Sequence, residues 1–392
     1  MTGLRLPPLL CGLLLALCSC RPQTSTDVTE PPTLVDERVA CSVLFGGDTS
    51  FGENYQARLA AKGGTDILQE HGYDYSLQRL TPLLRACDHT VLNLETPVTN
   101  LTASPLAGRK TYVHHADVEK TPAALARHGV TAVSLANNHA MDYGADGLQQ
   151  TRRILQVRGV ATCGAGMDDA RAAAPWSRTL AVGDHQVRLV VAAGFACGQA
   201  YADKFDCCAG AGKPGVNRWT PARAGEQIRA LRHEHPQAFI VAFPHWGPNY
   251  AWATARQRTL ARALVAGGAD LVLGHGAHRL QECEQIDGRW VVYGLGNFMF
   301  NSPGRYDKLD APPYSLAARL CLAPAADGTD FSLRLYPIYS DNRRTGYRPR
   351  FVTLEEFSRV RRLLAERSHP SQPPLPAVRD DVGRCLLLDV TP

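Results

Sequence analysis

The chain has 392 residues, of which 45% are hydrophobic and 20% are charged, and its formal net charge is +5. These values are typical of a globular protein with one large domain or two smaller ones. The arginines are scattered and not interleaved with aromatic residues, so nothing in the composition supports nucleic-acid binding.

The first twenty residues have the pattern of an export signal. A lone Arg5 precedes an apolar run at 9–17, and no acidic residue occurs before Cys20. The run is too short to cross a bilayer, since a membrane-spanning helix needs roughly 20 residues. The residues at 17–20, Leu-Cys-Ser-Cys, resemble a bacterial lipobox. We predict a lipoprotein signal peptide at 1–19 and a membrane anchor on Cys20. An ordinary secretory signal with incidental cysteines is the alternative.

The rest of the chain divides by composition. Residues 20–38 are rich in proline, threonine and acidic residues, which predicts a flexible tether. We expect one domain at 39–345, followed at 346–392 by a helix and a proline-rich tail that loops over the surface. Together with the signal, this organisation predicts a protein of the bacterial cell envelope, on the periplasmic or outer side.

Apolar runs alternate with helical patterns along most of the chain. Amphipathic helices are predicted between buried strands, and strands that alternate with helices indicate an α/β protein. The predicted strands are 42–45, 90–94, 130–135, 187–193, 238–243 and 271–273, and the predicted helices are 75–86, 121–128, 145–158, 221–233 and 255–266. Beyond Gly288, further strands at 290–293, 315–322 and 331–336 follow one another without long helices. We therefore expect a second, partly antiparallel sheet.

Polar side chains follow five of the predicted strands. In an open α/β sheet, ligands bind beyond the carboxyl ends of the strands, so these side chains should converge. Carboxylate, amide and imidazole groups together suit Mn²⁺, Zn²⁺ or Fe²⁺ better than Ca²⁺. A single histidine or aspartate at such a place has ordinary packing or turn-forming explanations, but five in one chain predict a metal site. The candidates are Asp48, Glu95, Asn138, His139, His245, His275 and His278.

Nine cysteines lie beyond Cys20, so at least one thiol is unpaired. The sequence leaves open whether Cys197 forms a disulfide with the Cys207-Cys208 pair, because spacing does not reveal which cysteines are bonded. We predict a surface loop around that pair. Because no CxxC pair of zinc type occurs, the sequence does not predict a cysteine metal site.

Several short motifs follow one another along the chain. The segment 134–139, Ser-Leu-Ala-Asn-Asn-His, is followed by Met-Asp-Tyr-Gly at 141–144. His245-Trp246-Gly247, the run 267–275 with Gln281, and Tyr293-Gly-Leu-Gly-Asn-Phe298 complete the pattern. The order of these motifs, over roughly 41–302, resembles that of the bacterial capsule synthesis protein CapA family. The family is similar to calcineurin-like metallophosphatases. The resemblance implies a four-layer α/β/β/α sandwich with two mixed sheets and a centre of two divalent ions.

The resemblance also implies roles for the candidate residues. Glu95 matches a carboxylate that bridges two metals, with Asp48 and His278 in one site and Asn138, His245 and His275 in the other. His139 matches the catalytic histidine, and Asp142 is placed to orient its imidazole. The implied activity is hydrolysis of a phosphate ester.

Three positions depart from that pattern and keep other functions open. Ser50 stands where the superfamily has histidine, and relatives have glutamate at Asn249 and a second histidine at Gly276, so one metal instead of two is an alternative. We expect either an envelope hydrolase acting on a phosphorylated substrate or anionic polymer, such as poly-γ-glutamate, or a non-catalytic capsule accessory or scaffold protein. Cations at Arg109, Lys110, Lys204 and Lys213 either meet an anionic substrate or are solvated.

Overall fold

The computed structural model describes residues 29–34, 39–368 and 372–392. The predicted signal peptide, Cys20 and most of the predicted tether lie outside these residues. None of the helices within the described ranges has the length and apolarity needed to span a bilayer.

Helices and strands alternate, which confirms the predicted α/β class. The helices are α1 Glu53–Ala60, α2 Ile67–His71, α3 Thr81–Arg85, α4 Lys120–Arg127, α5 Gly144–Val157, α6 Asp169–Ala173, α7 Gln199–Phe205, α8 Pro221–Glu234, α9 Ala255–Gly267, α10 Asn342–Thr345 and α11 Leu354–Arg367, with 3₁₀ turns at Tyr75–Leu80 and Asp307–Leu309. The strands are β1 Cys41–Ser50, β2 His89–Leu94, β3 Val130–Ser134, β4 Ala161–Cys163, β5 Ala165–Gly166, β6 Trp176–Val182, β7 His185–Phe195, β8 Gly215–Val216, β9 Phe239–His245, β10 Leu271–Leu273, β11 Cys283–Ile286, β12 Arg289–Val292, β13 Asn297–Phe300, β14 Tyr314–Ala325, β15 Gly328–Tyr339, β16 Arg350–Phe351, β17 Ala377–Arg379 and β18 Arg384–Asp389.

Local sequence explains where several helices begin. Thr254 and Gln257 form a capping box at the start of α9, and Thr353 and Glu356 form one at the start of α11. Each pair satisfies backbone N–H groups that the first helical turn leaves without partners. The predicted helix 75–86 is instead a 3₁₀ turn followed by the short α3, with Pro82 in the first turn of α3.

Two large mixed sheets form the frame. One has the order β17-β18-β15-β14-β1-β2-β3-β4, with β13 beside β1 and β16 beside β15, and the other has the order β11-β12-β10-β9-β7-β6. The strands β1 to β4 run parallel in the first sheet, and β7, β9, β10 and β12 run parallel in the second.

The late strands correct two predictions. β14 pairs with β1 and β15 pairs with β14, so both strands extend the first sheet and do not build a second one. Likewise β18 pairs with β15, and its Cys385 and Leu386 are buried, so the tail does not simply loop over the surface. The alternation of apolar residues in these strands shows that they have a buried face, but not which strand they pair with.

Three apolar clusters hold the layers together. Val43 and Phe45 of β1 meet Val241 and Phe243 of β9 between the two sheets, where the rings of Phe45 and Phe243 lie 5.9 Å apart. The other face of the first sheet packs on α2 to α5, and the other face of the second packs on α8 and α9. Burial on both faces explains why β1 has consecutive apolar residues at 43–45 and not only alternate ones.

Candidate metal centre

Asp48 lies near the end of β1 and is fully buried. Its Oδ1 accepts a hydrogen bond from Nδ2 of Asn93 at 3.0 Å and lies 3.4 Å from Nδ1 of His275. Its Oδ2 lies 3.1 Å from Nδ1 of His278 and accepts from the backbone N–H of Gly276 at 3.2 Å. Burial opposes ionisation, but hydrogen bonds from His275 and His278 hold the pKa of Asp48 well below its usual range. Asp48 is therefore an ionised carboxylate in the interior.

Glu95 follows β2 and faces two histidines. Its Oε1 lies 4.0 Å from Nε2 of His245 and 3.9 Å from Nε2 of His278. Its Oε2 is buried and has no hydrogen-bond partner within the described parts of the chain. Burial raises the pKa of Glu95 to about 8, although the nearby charge of His278 opposes this shift. A buried carboxylate with a free oxygen costs free energy unless a cation binds there.

The second sheet supplies the histidines. His245 ends β9 and His275 follows β10, and their Nδ1 atoms lie 3.1 Å apart. Burial lowers the pKa of His245 to about 3, so its imidazole is neutral, which is the form that binds a metal. Nε2 of His275 is buried without a partner among the described residues.

These five side chains form two overlapping groups. The ligand atoms of Asp48, His245 and His275 lie within 4.8 Å of one another, and so do those of Asp48, Glu95 and His278. Asp48 belongs to both groups, although the resemblance implied it for one site alone. Two carboxylates and three imidazoles, with orphaned atoms on Glu95 and His275, fit a divalent transition metal. The residues come from both sheets, whose strand ends meet at this edge, as the contacts of Asp48 from the first sheet with His275 and His278 from the second show.

Asn138 and His139 lie beside this cluster, after β3. Oδ1 of Asn138 is buried without a hydrogen-bond partner in the described structure, so it is free to act as a ligand. Nδ1 of His139 lies 2.6 Å from Oδ2 of Asp142, which fixes the ring and leaves Nε2 for a ligand. Burial and then the charge of Lys110 lower the pKa of His139 well below its usual range.

Two loop residues complete the site. The ring of His114, which was not predicted from the sequence, stacks on that of His139 with centroids 3.7 Å apart, and its backbone N–H donates to Oδ2 of Asp142 at 2.7 Å. Lys110 was predicted only as a cation that meets an anionic substrate or is solvated, and its Nζ donates to Oδ1 of Asp142 at 2.5 Å and to the carbonyl oxygen of Asn138 at 2.6 Å. No sequence signal predicts these contacts, since they depend on how the loop folds over the strand ends.

A cavity of about 380 Å³ opens beside the cluster. Asn138, His139 and His278 form the wall of the cavity that faces the cluster. Four cations and several aromatic rings line the rest: Arg109, Lys110, Lys204 and Arg305, with Tyr55, Tyr112, Tyr201, Phe205 and Tyr250. Lys213 is not among the lining residues and pairs with Asp206 instead. The cavity is thus electropositive, and the buried group of candidate metal ligands lies next to it.

The three departures from the motif have clear places in the structure. Oγ of Ser50 accepts a hydrogen bond from the backbone N–H of Gly52 and so shapes the turn after β1. Asn249 is exposed and lines the cavity. Gly276 has a φ of +104°, and a Cβ there would lie 3.0 Å from backbone atoms of Trp246. Gly276 therefore contributes a backbone N–H to Asp48 at a position where a side chain would be strained.

Comparison with known proteins points to one family. Residues 42–302 match the family described as "Bacterial capsule synthesis protein PGA_cap". The "PGA biosynthesis protein CapA" of Bacillus subtilis is 30% identical over 241 residues, which cover 60% of this chain and 59% of that protein. The "Capsule biosynthesis protein CapA" of Bacillus anthracis is 29% identical over 247 residues, or 60% of this chain and 56% of the relative.

A "Probable polyglutamine synthesis accessory protein" of Mycobacterium tuberculosis is 29% identical over 333 residues, which cover 76% of this chain and 84% of that protein. The chain spans less than two thirds of the length of the two Bacillus relatives. The matched segment contains β1 to β13 and every candidate ligand of the cluster. The chain therefore belongs to the bacterial capsule synthesis protein family PGA_cap.

Proposed function

We propose that this chain is an envelope-anchored, CapA-like, metal-dependent hydrolase of the phosphoesterase type. The observation that supports it best is the buried cluster of Asp48, Glu95, His245, His275 and His278 beside the His139–Asp142 pair. The electropositive cavity next to it suits an anionic substrate. The names of the relatives point to capsule biosynthesis. For this chain we propose a part in the synthesis, release or export of a polymer such as poly-γ-glutamate.

We further propose a specific fold type and a specific division of the metal ligands between two ions. Packing of helices, sheet, sheet and helices supports a four-layer α/β/β/α sandwich of the metallophosphatase type. Asp48 and His278 would hold one divalent ion, and Asn138, His245 and His275 a second, with Glu95 between them. When bound, such ions supply an activated water nucleophile and neutralise charge on an oxyanion.

The chain's own residues would orient the substrate and move a proton. Arg109 and Lys204 lie where they can bind an anion in the cavity. Asp142 holds Nδ1 of His139, so Nε2 faces the reacting group. His139 is neutral without a ligand, and a bound anion favours its protonated form, which can then donate to the leaving oxygen.

A non-catalytic accessory function is the second candidate. Ser50 uses its hydroxyl in a turn, so the first metal lacks the imidazole that the superfamily has at that position. One relative is named as an accessory protein. A chain that binds one ion weakly and presents the electropositive cavity to an anionic polymer would serve export or tethering without hydrolysis.

Metal content and mutant kinetics separate the two candidates. The full-length protein, purified without chelator, is analysed by inductively coupled plasma mass spectrometry and assayed on a phosphodiester, a phosphomonoester and poly-γ-glutamate. We expect His139→Ala to keep its metal and lose activity by 10² to 10⁴-fold. We expect Glu95→Gln to lose metal and activity together, and His128→Ala, which removes a histidine paired with Asp74 elsewhere, to change neither.

Wild-type protein that holds metal but cleaves none of the three substrates supports the accessory function. If both site variants match the wild type on a substrate that it cleaves, the assigned site is wrong.

A further inference from the structure

Three thiols converge at the ends of α7, although the sequence did not predict a cysteine site. Cys197 precedes α7, and Cys207 and Cys208 follow it. The sulfur of Cys208 lies 3.8 Å from that of Cys197 and 3.8 Å from that of Cys207, and all three lie within 4.8 Å of one another. All three are free thiols.

These separations match thiolates that share one ion. With a metal–sulfur distance of about 2.3 Å, sulfurs around one metal lie about 3.8–4.0 Å apart. A disulfide has a sulfur–sulfur distance of about 2.05 Å and uses two of the three thiols, leaving the third beside it. The convergence of all three sulfurs therefore favours a shared ion over a single disulfide.

The backbone holds this arrangement in place. The carbonyl oxygen of Cys207 accepts from the N–H of Val216 at 2.9 Å, and the N–H of Ala209 donates to the carbonyl oxygen of Val216 at 3.0 Å. Gly215 packs so closely that a Cβ there would lie 2.4 Å from the carbonyl carbon of Cys208. The Cys207-Cys208 pair is thus clamped on β8, and its sulfurs are positioned before any ion binds.

The surroundings suit one anionic sulfur with access from solvent. Cys207 is 2% exposed, whereas Cys197 and Cys208 are half-buried and reachable. Hydrogen bonds from the other two thiols, and then the charges of Arg218 and Lys213, lower the pKa of Cys208. Hydrogen bonds to Cys197 and Cys208, and then burial, raise the pKa of Cys207, so the negative charge of the metal-free trio lies on Cys208. The cation of Arg218 also donates to the carbonyl oxygen of Cys197 at 3.4 Å.

We propose that Cys197, Cys207 and Cys208 form a trigonal thiolate site for one Cu⁺ ion. Soft thiolate ligands select Cu⁺, Zn²⁺ or iron–sulfur clusters, and structural Zn²⁺ sites have four protein ligands. No fourth histidine, cysteine or carboxylate joins the trio within the described ranges. Three sulfurs without a fourth ligand suit Cu⁺, and binding releases the remaining thiol protons to solvent.

This site would control one wall of the cavity. Helix α7 carries Tyr201, Lys204 and Phe205, which line the cavity next to the metal centre. The carbonyl oxygen of Lys204 also accepts from Nη2 of Arg109 at 2.9 Å. An ion that joins the residues before and after α7 would hold this wall in place, while sharing no ligand with the Asp48 cluster.

The test is anaerobic titration of the reduced full-length protein with Cu⁺ in competition with bathocuproine disulfonate. We expect one Cu⁺ per chain to resist the competitor in the wild type and in Cys87→Ser, a matched control with a half-buried thiol outside the trio. Cys197→Ser and Cys208→Ser should lose that ion while keeping the wild-type circular dichroism spectrum. Bound Cu⁺ should also slow tryptic cleavage after the exposed Lys204 several-fold.

Equal Cu⁺ retention in all variants would refute the site. So would Zn²⁺ saturating the trio in a form that Cu⁺ does not displace. Mass spectrometry that finds a native disulfide within the trio, with no Cu⁺ uptake after its reduction, would show that these thiols form a redox pair and not a metal site.

Discussion

Replacing Glu95 by glutamine tests whether this buried carboxylate serves a cation. In the metal-free protein, burial raises the pKa of Glu95 from 4.5 to about 8. One pKa unit corresponds to about 1.4 kcal/mol, so keeping the group ionised above pH 8 lowers the free energy of unfolding by up to about 5 kcal/mol. Local relaxation and water entry should reduce the measurable effect to roughly half of that.

The sign of the pH dependence follows from the direction of the shift. Because the pKa is raised on folding, the folded state binds this proton more tightly than the unfolded chain does. The contribution of protonated Glu95 to the free energy of unfolding is fully present below about pH 4.5 and is lost as the pH rises through about 8. In chelator, Glu95→Gln should therefore match the wild type near pH 5 and be more stable than the wild type near pH 9.

Bound metal should reverse the order of stability, so that the wild type becomes more stable than Glu95→Gln. A ligand that binds the native state alone stabilises it by about 2.7 kcal/mol at 100 times its dissociation constant. Wild-type protein should gain this stability with Mn²⁺ and lose it with EDTA, whereas Glu95→Gln should gain much less. Urea unfolding followed by tryptophan fluorescence, at both pH values and with EDTA or Mn²⁺, measures all of these differences.

Glu53→Gln is the matched control. Glu53 is half-buried, with a buried Oε2, and desolvation raises its pKa to about 7. Its Oε1 accepts from the N–H of Asp117 at 3.1 Å and from the hydroxyl of Thr121, outside the cluster. This variant should change the pH dependence and leave the response to Mn²⁺ intact. Equal stabilisation of Glu95→Gln and wild type by Mn²⁺ would refute the role of Glu95 as a ligand.

Three further predictions test other parts of the molecule. Lys110→Met should raise the pKa of His139, because it removes a nearby positive charge; an NMR titration of metal-free protein measures this, and an unchanged or lower value contradicts it. Gly276→Ala should lower the free energy of unfolding by about 1–3 kcal/mol. Gly72→Ala should lower it less, because Gly72 has a positive φ but no neighbour within 4 Å of the added Cβ. Equal urea midpoints for the two variants would argue against a steric role of Gly276. Cys20→Ser should release the protein from membranes, and unchanged detergent partitioning would disprove the lipid anchor.

Much of the candidate site was predictable because its chemistry lies in short motifs. Asp48, Glu95, His245 and His275 each lie at or just after the end of a strand that is apolar over several residues. Parallel strands place such ends at one edge, so their convergence follows from the α/β pattern. The contacts of Lys110 and His114 with Asp142 could not be predicted in this way, because both residues lie in a loop and Asp142 is 32 and 28 residues away from them in sequence.

Sheet membership shows the limit of local patterns most clearly. The sequence predicts the strands β14 and β15 but places them in a second sheet, and it predicts a surface tail where β18 lies. In the structure β14 pairs with β1 and β18 pairs with β15, and both partners lie far away in sequence. Periodicity reports that a strand has a buried face, whereas pairing depends on which apolar faces meet when the whole chain packs.

The sequence by itself determined the class of the fold, the family motifs and the residue types at the strand ends, since these depend on local periodicity and composition. Only the tertiary structure decided that Asp48 contacts histidines of both ligand groups, and that Cys197 meets Cys207 and Cys208 around α7. Such contacts depend on where distant turns lie relative to one another. Turn positions follow from the packing of complete sheets and helices, and no short segment encodes that packing.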